Sequence, residues 1–475
     1  MSKYLYGASV QGIQEFIFKT NQLQEIVGAS EIVKSLEAEF EKISGYQKGD
    51  KNILLNAAGN IKAIFDDKKK LEKVVREFPK KIMQKAYGIT ISQAVVKMED
   101  KFIEQKDAIK ELEKRLKTQR NKPSIPLDLS INIMELAPKT ARPQVEKDMD
   151  KATNQKRDVY AIWFKNERRD DKEFEKSKEL SYISNGKSKL AVIHADGNGL
   201  GQLIPTLSNI SEFSVNLEKA TTEAYEEAKK TIKNDKIRKI ILGGDDMTVI
   251  CDANYALEFT KVFLEKFEEL TEKYTNHKLT ACAGIAYANE KYPFHYAEGL
   301  AEELTKATKK HAKDLKKSQK LSLVPSSPMF HNIQSSNFQS WEKFIKDELT
   351  IPNDKETIRC DFGPYYLSQD GQPKIENFLN TVEAYRCDGS PISRLRSWMS
   401  ELSKSNQSAK NMLDRINDII KENKKWNCKI MENNLEKLYK GLSNEKLIID
   451  DKNDSRYNKT PIYDVLQILS VTEAK

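Results

Sequence analysis

The chain has 475 residues, more than one ordinary hydrophobic core can organise, so two or three globular units are expected. Charged residues make up 32% of it and the net charge is +8, but the 79 Lys and Arg and 71 Asp and Glu are interleaved along the chain, which permits an anionic partner without specifying one. No apolar run reaches membrane-span length, Met1–Lys19 lacks a signal-peptide core, and Cys251, Cys282, Cys360, Cys387 and Cys428 stand far apart with no C-x-x-C pair; a cytoplasmic protein with reduced thiols and no membrane partner is expected, without a disulfide framework or a cysteine zinc site.

The first elements recur later in the chain. YLYGASVQGIQEFI (4–17) reads as an apolar strand entering a glycine-containing turn and then a helix, and so does LAVIHADGNGLGQLI (190–204). LLNAAGNIKAIFDD (54–67) pairs with ILGGDDMTVICD (241–252) as a β-hairpin. Aligning Gly12 with Gly199 and Gly59 with Asp245 gives offsets that agree to within one residue. An amphipathic helix follows each hairpin, carried in the second copy by Phe259, Val262, Phe263, Phe267 and Leu270, and each copy then has a β-rich segment, ITISQAVV (89–96) and LTACAGIAYA (279–288). Strand, helix, hairpin, helix, strand is an α+β pattern with an antiparallel sheet and helices on one face, the palm or ferredoxin-like unit found in nucleotide cyclases.

The expected organisation is a degenerate first palm (1–100), a helical and irregular connector (101–184), a catalytic palm (185–335) and a mainly helical C-terminal domain (336–475). Within the connector, Phe102, Ile109, Leu112 and Leu116 form one stripe of a packed helix, while the charged stretch 140–185 shows little pattern.

The second copy carries the chemistry. In AVIHADGNGLG (191–201) the apolar run ends at Asp196, which puts a carboxylate at the end of a buried strand; in IILGGDDMTVI (240–250) two strand runs are separated only by Gly243, Gly244, Asp245 and Asp246, a tight hairpin. If these strands are neighbours, Asp196, Asp245 and Asp246 converge, an arrangement of like charges that calls for a divalent cation, and oxygen-only ligands favour two Mg²⁺ or Mn²⁺ ions. Such ions would activate a ribose hydroxyl and stabilise departing pyrophosphate. Gly199, Gly201, Gly243 and Gly244 leave room for a triphosphate beside the backbone, the candidate nucleotide-binding residues are Gly197, Asn198, Gly199, Gly243 and Gly244, and Lys309, in the basic run Lys306, Lys309, Lys310 and Lys313, is the candidate phosphate ligand, the others being a solvated face. His194 reads as a satisfied strand histidine, and no His-Asp doublet of a metal-dependent phosphohydrolase occurs. In the first copy Ser9 stands in place of Asp196, and Gly59 and Asn60 in place of Asp245 and Asp246, so that copy holds no metal pair.

The segment DGNGLG (196–201), the GGDD turn (243–246) and Ala283-Gly284-Ile285 resemble the catalytic palm of the large, polymerase-like subunit of type III CRISPR effectors, the cyclic oligoadenylate synthetases. The likeness extends to GIQEFIF (12–18), EIVGASEIV (25–33), FGPYYL (362–367) and TPIYDVL (460–466), and so spans most of the chain. The resemblance implies that Asp196, Asp245 and Asp246 carry the metals and that ATP, or another NTP, is joined by 3′-hydroxyl attack on an α-phosphate to give pyrophosphate and a cyclic second messenger for antiviral defence, read by a downstream effector. Two departures stand out. The family's histidine-aspartate nuclease domain and cysteine zinc site have no counterpart here, and an amide, Asn198, replaces an acidic residue. They favour a compact, stand-alone synthase. The alternatives are a subunit of an RNA-guided complex, with RNA and small ribonucleoprotein subunits as partners, and an inactive nucleotide-binding scaffold.

Overall fold

A computed structural model describes residues 3–47, 50–57, 59–98, 105–122, 131, 133–167, 176–207, 209–334, 340–352, 357–422, 428–451, 454 and 456–474. Phe102, in the expected connector stripe, lies outside the described residues.

The first palm is a four-stranded sheet of β1 (Lys3–Gln11), β2 (Ile53–Ala57), β3 (Asn60–Phe65) and β4 (Thr90–Met98) in the order β2-β3-β1-β4. The helices Leu23–Ser44 and Lys68–Lys85 bury their apolar stripes on one face, where Leu36, Phe40, Val74 and Phe78 meet Tyr6, Ala63 and Phe65. The helix Gln105–Arg120 covers the other face through Leu112 and Leu116 against Leu5, Leu54 and Val96. After a small hairpin of β5 (Gln144–Glu146) and β6 (Met149–Asp150), the stretch expected as connector forms the helix Lys151–Glu167. It packs along the helix Leu23–Ser44, and Gly28 is what allows this, since a Cβ there would sit 1.9 Å from the Lys156 carbonyl oxygen. Tyr160 and Phe164 are its only fully buried large side chains, too short a stripe among charges to give a periodic signal.

The second palm repeats the topology with β7 (Lys189–Gly197), β8 (Ile237–Gly243), β9 (Asp246–Asp252) and β10 (Ala281–Asn289), adds β11 (Ser327–Asn332) in parallel beside β10, and runs β11-β10-β7-β9-β8. Its strands are buried on both faces, which explains their unbroken apolar runs. Ala191, Ile193 and Ala195 face the helices Ile210–Lys229 and Ala256–Thr275, the latter presenting Phe259, Phe263 and Phe267 as a stack with centroids 6.5 and 5.9 Å apart. Leu190, Val192 and Ile250 face the other way, onto the helix Phe294–Gln319 and the first palm. One apolar cluster therefore runs beneath both palms, joining Leu23, Ile26 and Phe40 to Ile240, Ala286 and Leu300.

The C-terminal region is mainly helical, with helices Ile375–Arg386, Ile392–Leu402, Asn406–Glu422, Cys428–Leu438 and Ile462–Val471. It also contains a small sheet of β12 (Thr350–Pro352), β13 (Thr357–Arg359), β14 (Ile449–Asp450) and β15 (Tyr457–Lys459), strands too short to register as a period. FGPYYL and TPIYDVL meet here: the buried Asp464 carboxylate accepts from the Phe362 amide at 3.1 Å and the Tyr365 hydroxyl at 2.7 Å. The last helix is clasped to the second palm, for Lys187 caps it by donating to the carbonyls of Leu469 at 3.1 Å and Thr472 at 2.6 Å. No helix among the described residues is long and apolar enough to cross a membrane.

Candidate active site

Antiparallel pairing of β7 with β9 sets Asp196 directly opposite Asp246, and the pairing of Gly243 with Asp246 leaves Gly244 and Asp245 as a two-residue hairpin loop. Gly244 has φ +61°, the left-handed value that the first position of such a loop favours. The consequence is the convergence expected from the sequence: Asp196, Asp245 and Asp246 each offer an oxygen within 4.8 Å of the others.

The loop is held by groups that no sequence pattern identifies. The Thr221 hydroxyl, on the helix Ile210–Lys229, donates to the Gly244 carbonyl at 2.5 Å, and the Gly197 amide donates to the Asp245 carbonyl at 3.2 Å. Gly197 is required for closeness rather than for φ: a Cβ there would lie 2.7 Å from the Asp245 Cβ and 2.9 Å from its Oδ2. Asn198 does not point at the carboxylates with a free amide. Its backbone N–H and its Nδ2 donate to the Thr280 carbonyl and hydroxyl at 2.8 and 3.0 Å, while its buried Oδ1 has no partner. Gly199 starts the short helix Leu200–Leu203, and Gly199 and Gly243 have open space where a Cβ would be.

Lys309 reaches the carboxylates from the helix Phe294–Gln319. Its ammonium pairs with the Asp196 carboxylate and donates to the Gly197 carbonyl at 2.7 Å; the side chain is 15% exposed, against 35% for Asp196. That helix is fixed one turn earlier, where the Thr305 hydroxyl donates to the His194 carbonyl at 2.9 Å, and Gly284 permits the approach, since a Cβ there would be 2.0 Å from the Ala301 carbonyl oxygen. Lys306, Lys310 and Lys313 are exposed, Lys306 pairing with Glu302 at 2.8 Å. The His194 ring is buried against the Thr248 hydroxyl at 3.0 Å, and burial lowers its pKa, as suits a neutral strand histidine.

One lysine does not neutralise three carboxylates. Burial and then the Asp196 charge push Asp245 up to about 6, and burial, Asp245 and Asp196 push Asp246 up to about 8. A cluster of hard oxygen donors whose charges resist coexistence fits a divalent cation, and these three residues could hold one.

Asp245 and Asp246 open onto a cleft of about 1430 Å³ between the palms. Ser211–Leu217 line one side; Asn60, Lys51 and Lys62 of the first palm line the other. The first palm has the same register without the charges, for Ser9 lies opposite Asn60, its hydroxyl donating to the Asn60 Oδ1 at 2.9 Å.

Residues 189–318 match the family described as Cas10/Cmr2, second palm domain. This stretch is a Cas10-like second palm. Among solved structures, the Csm1-Csm4 subcomplex of the type III-A CRISPR-Csm interference complex aligns over 99% of this chain and 70% of its own at 13% identity, TM-score 0.54, and a Csm1-Csm4 cassette in complex with cA3 aligns over the same shares at 12% and 0.53. A cassette in complex with one ATP matches over 65% of this chain and only 53% of its own, at 15% identity and a TM-score of 0.46. At these identities the likeness shows the fold. A comparison with curated proteins returns no match.

Proposed function

We propose that the chain is a divalent-metal-dependent nucleotidyltransferase and cyclase that condenses ATP, or another NTP, into a cyclic oligoadenylate or related cyclic nucleotide messenger, releasing pyrophosphate. The observation that carries this reading is the convergence of Asp196, Asp245 and Asp246 within 4.8 Å on the rim of a cleft whose far wall is a second palm. Bound Mg²⁺ or Mn²⁺, two ions in this reading, would supply Lewis acidity to the α-phosphate and lower the pKa of the attacking hydroxyl.

The chain's own residues do the rest. The three carboxylates would hold the cations, and the unobstructed backbone at Gly199, Gly243 and Gly244 admits the triphosphate beside the turn, while Gly197 lets the Asp245 side chain approach. Lys309, whose ammonium lies against Asp196 and the Gly197 carbonyl, would be the phosphate ligand beside a bound cation. Asn198 keeps the turn anchored to Thr280. In the first palm, Lys51 offers a cation to a second nucleotide, with Lys62 beside it paired to Glu113 at 2.5 Å, so the two substrates meet across the cleft. In each condensation the 3′-oxygen to α-phosphorus bond forms, the bond from α-phosphorus to the bridging oxygen breaks, the hydroxyl proton passes to solvent and pyrophosphate leaves. That Csm1-Csm4 cassettes of the same fold are known in complex with cA3 and with pppApApA supports this product class.

A second reading, that the chain works as a subunit of an RNA-guided complex, is favoured by the 99% coverage of this chain by those cassette structures. In that case a Csm4-like subunit and RNA are its partners and set its trigger.

The test is incubation of the purified chain, alone and with any co-purifying RNA, with each NTP and Mg²⁺ or Mn²⁺, followed by mass spectrometry. A cyclic product that disappears in the Asp245→Ala/Asp246→Ala double variant supports the proposal. The same product from that variant, or no pyrophosphate release under any condition, rules it out.

A further inference from the structure

A second cavity lies at the opposite end of the catalytic palm. It occupies about 770 Å³, within the range of small-molecule sites, where the start of β7, the ends of β10 and β11 and the C-terminal helices meet. The strand β7 separates the two places, with Asp196 near one end and Lys189 at the other, about 23 Å apart at strand rise.

Its lining is unusual in three respects. Among the described residues no acidic side chain lines it, whereas Lys189 and Arg396 do, and neither of these has a carboxylate partner there. Burial first, then Arg386, and Arg396 against the opposing charge of Glu473, lower the pKa of Lys187, and burial lowers that of Lys189. Two tyrosines from separate elements, Tyr292 beyond β10 and Tyr463 on the last helix, present ring surface to the cavity. Lastly, the exposed residues Asn289 and Gln334 bring side-chain amides to its wall, with Asn332 buried behind them, its backbone N–H donating to Gln467 at 2.8 Å.

We propose that this cavity binds a nucleoside monophosphate, its base alongside Tyr292 or Tyr463 and the amides of Asn289 and Gln334, and its phosphate on Lys189 and Arg396. Unpaired cations select the anion, and aromatic residues with amide groups beside them select a flat ring bearing donors and acceptors. The site is built from the palm and the C-terminal helices together, independently of the carboxylate cluster.

Calorimetry on the full chain in EDTA, with 5′-AMP, GMP, CMP and UMP and with inorganic phosphate and adenosine as separate probes, tests the assignment. At least one monophosphate should bind saturably, at least tenfold tighter than phosphate or adenosine alone, and an azido analogue of it should photolabel peptides containing Tyr292, Tyr463 or Asn332. Arg396→Glu, at an exposed position that leaves the core untouched, should weaken binding at least tenfold. Absence of saturable monophosphate binding at millimolar concentration, equal binding of inorganic phosphate, binding unaltered by Arg396→Glu, or photolabel confined to the interpalm cleft would each overturn it.

Discussion

The Arg120 guanidinium donates to the Ser9 hydroxyl at 2.8 Å. It approaches from the helix that follows the first palm's last strand, as Lys309 approaches Asp196 from the helix that follows β10, so the degenerate site keeps its cation and has lost its anions. Restoring an acid at this position should therefore create an ion pair rather than a metal site. Ser9→Asp, alone or with Asn60→Asp, is expected to leave the number of Mn²⁺ ions bound per chain unchanged by calorimetry and to add no product; a gain of bound metal that tracks with added activity would refute this.

In the second palm, Asp245→Ala with Asp246→Ala should abolish product while the circular dichroism spectrum stays native, because both side chains sit at a strand end on the cleft rather than in the apolar clusters. Asp196→Asn should reduce synthesis by at least two orders of magnitude, since the amide preserves shape and removes charge. Turnover near the wild-type rate in either variant would move the active site elsewhere.

Lys309→Met tests the cation against its packing. The aliphatic stem is retained, so the helix stays seated through Thr305, but the carboxylate cluster loses its one close ammonium. Without metal the variant should unfold at lower temperature, by about 1–2 kcal/mol for a partly exposed pair. Added Mn²⁺ should restore much of that stability, and product formation should stay at least tenfold down. An unchanged melting temperature and unchanged rate together would show that Lys309 is only a surface lysine.

Two glycines four residues apart should respond differently. Gly197→Ala drives a methyl into the Asp245 side chain and should displace the loop, costing most of the activity with modest loss of stability; Gly201→Ala meets open space and should keep activity within twofold. Equal behaviour of the two would mean that the loop position is not critical.

Asp464 gives a pH signature away from the site. Burial raises its pKa to about 7, whereas an unfolded carboxyl titrates near 3.8. The folded state therefore holds the proton more tightly: the contribution to stability is complete below the unfolded value and is lost as pH rises from about 4 to about 7, at up to roughly 1.4 kcal/mol per pH unit. Thermal melts should show the midpoint falling over that window, and Asp464→Asn, which can still accept from Phe362 and Tyr365, should flatten the dependence.

What could be read from the sequence was what the local chain encodes. The Gly-Gly-Asp-Asp turn is set by backbone conformation, the apolar runs of β7 and β9 by burial on both faces, and the register of the two copies by their common spacing, so the three carboxylates and the loss at Ser9 and Asn60 were visible together. Thr221, Thr280 and Arg120 were not, because each is a single polar residue delivered to its place by packing between distant segments, with no period to mark it. The helix Lys151–Glu167 was obscured for a related reason: its burial is against another helix along a narrow line, and most of its surface is charged. The hydrogen bond from Asn198 to Thr280 was not legible either, because it depends on a neighbouring segment the local sequence does not contain.

The apolar cluster that continues from Leu23 through Ile240 to Leu300 makes the two palms a single mechanical body. Neither half has a surface along which to part from the other without opening that cluster to water, so the gap between the strand ends has its width set by packing far from the chemistry. The acids at those ends lie outside the shared interior and could be lost from one copy at no structural cost, while the strands beneath them could not. Symmetry of scaffold with asymmetry of charge is therefore a stable condition for this molecule, and it gives the cleft an inherent direction, one wall that carries the acids and one that has none at the matching strand ends.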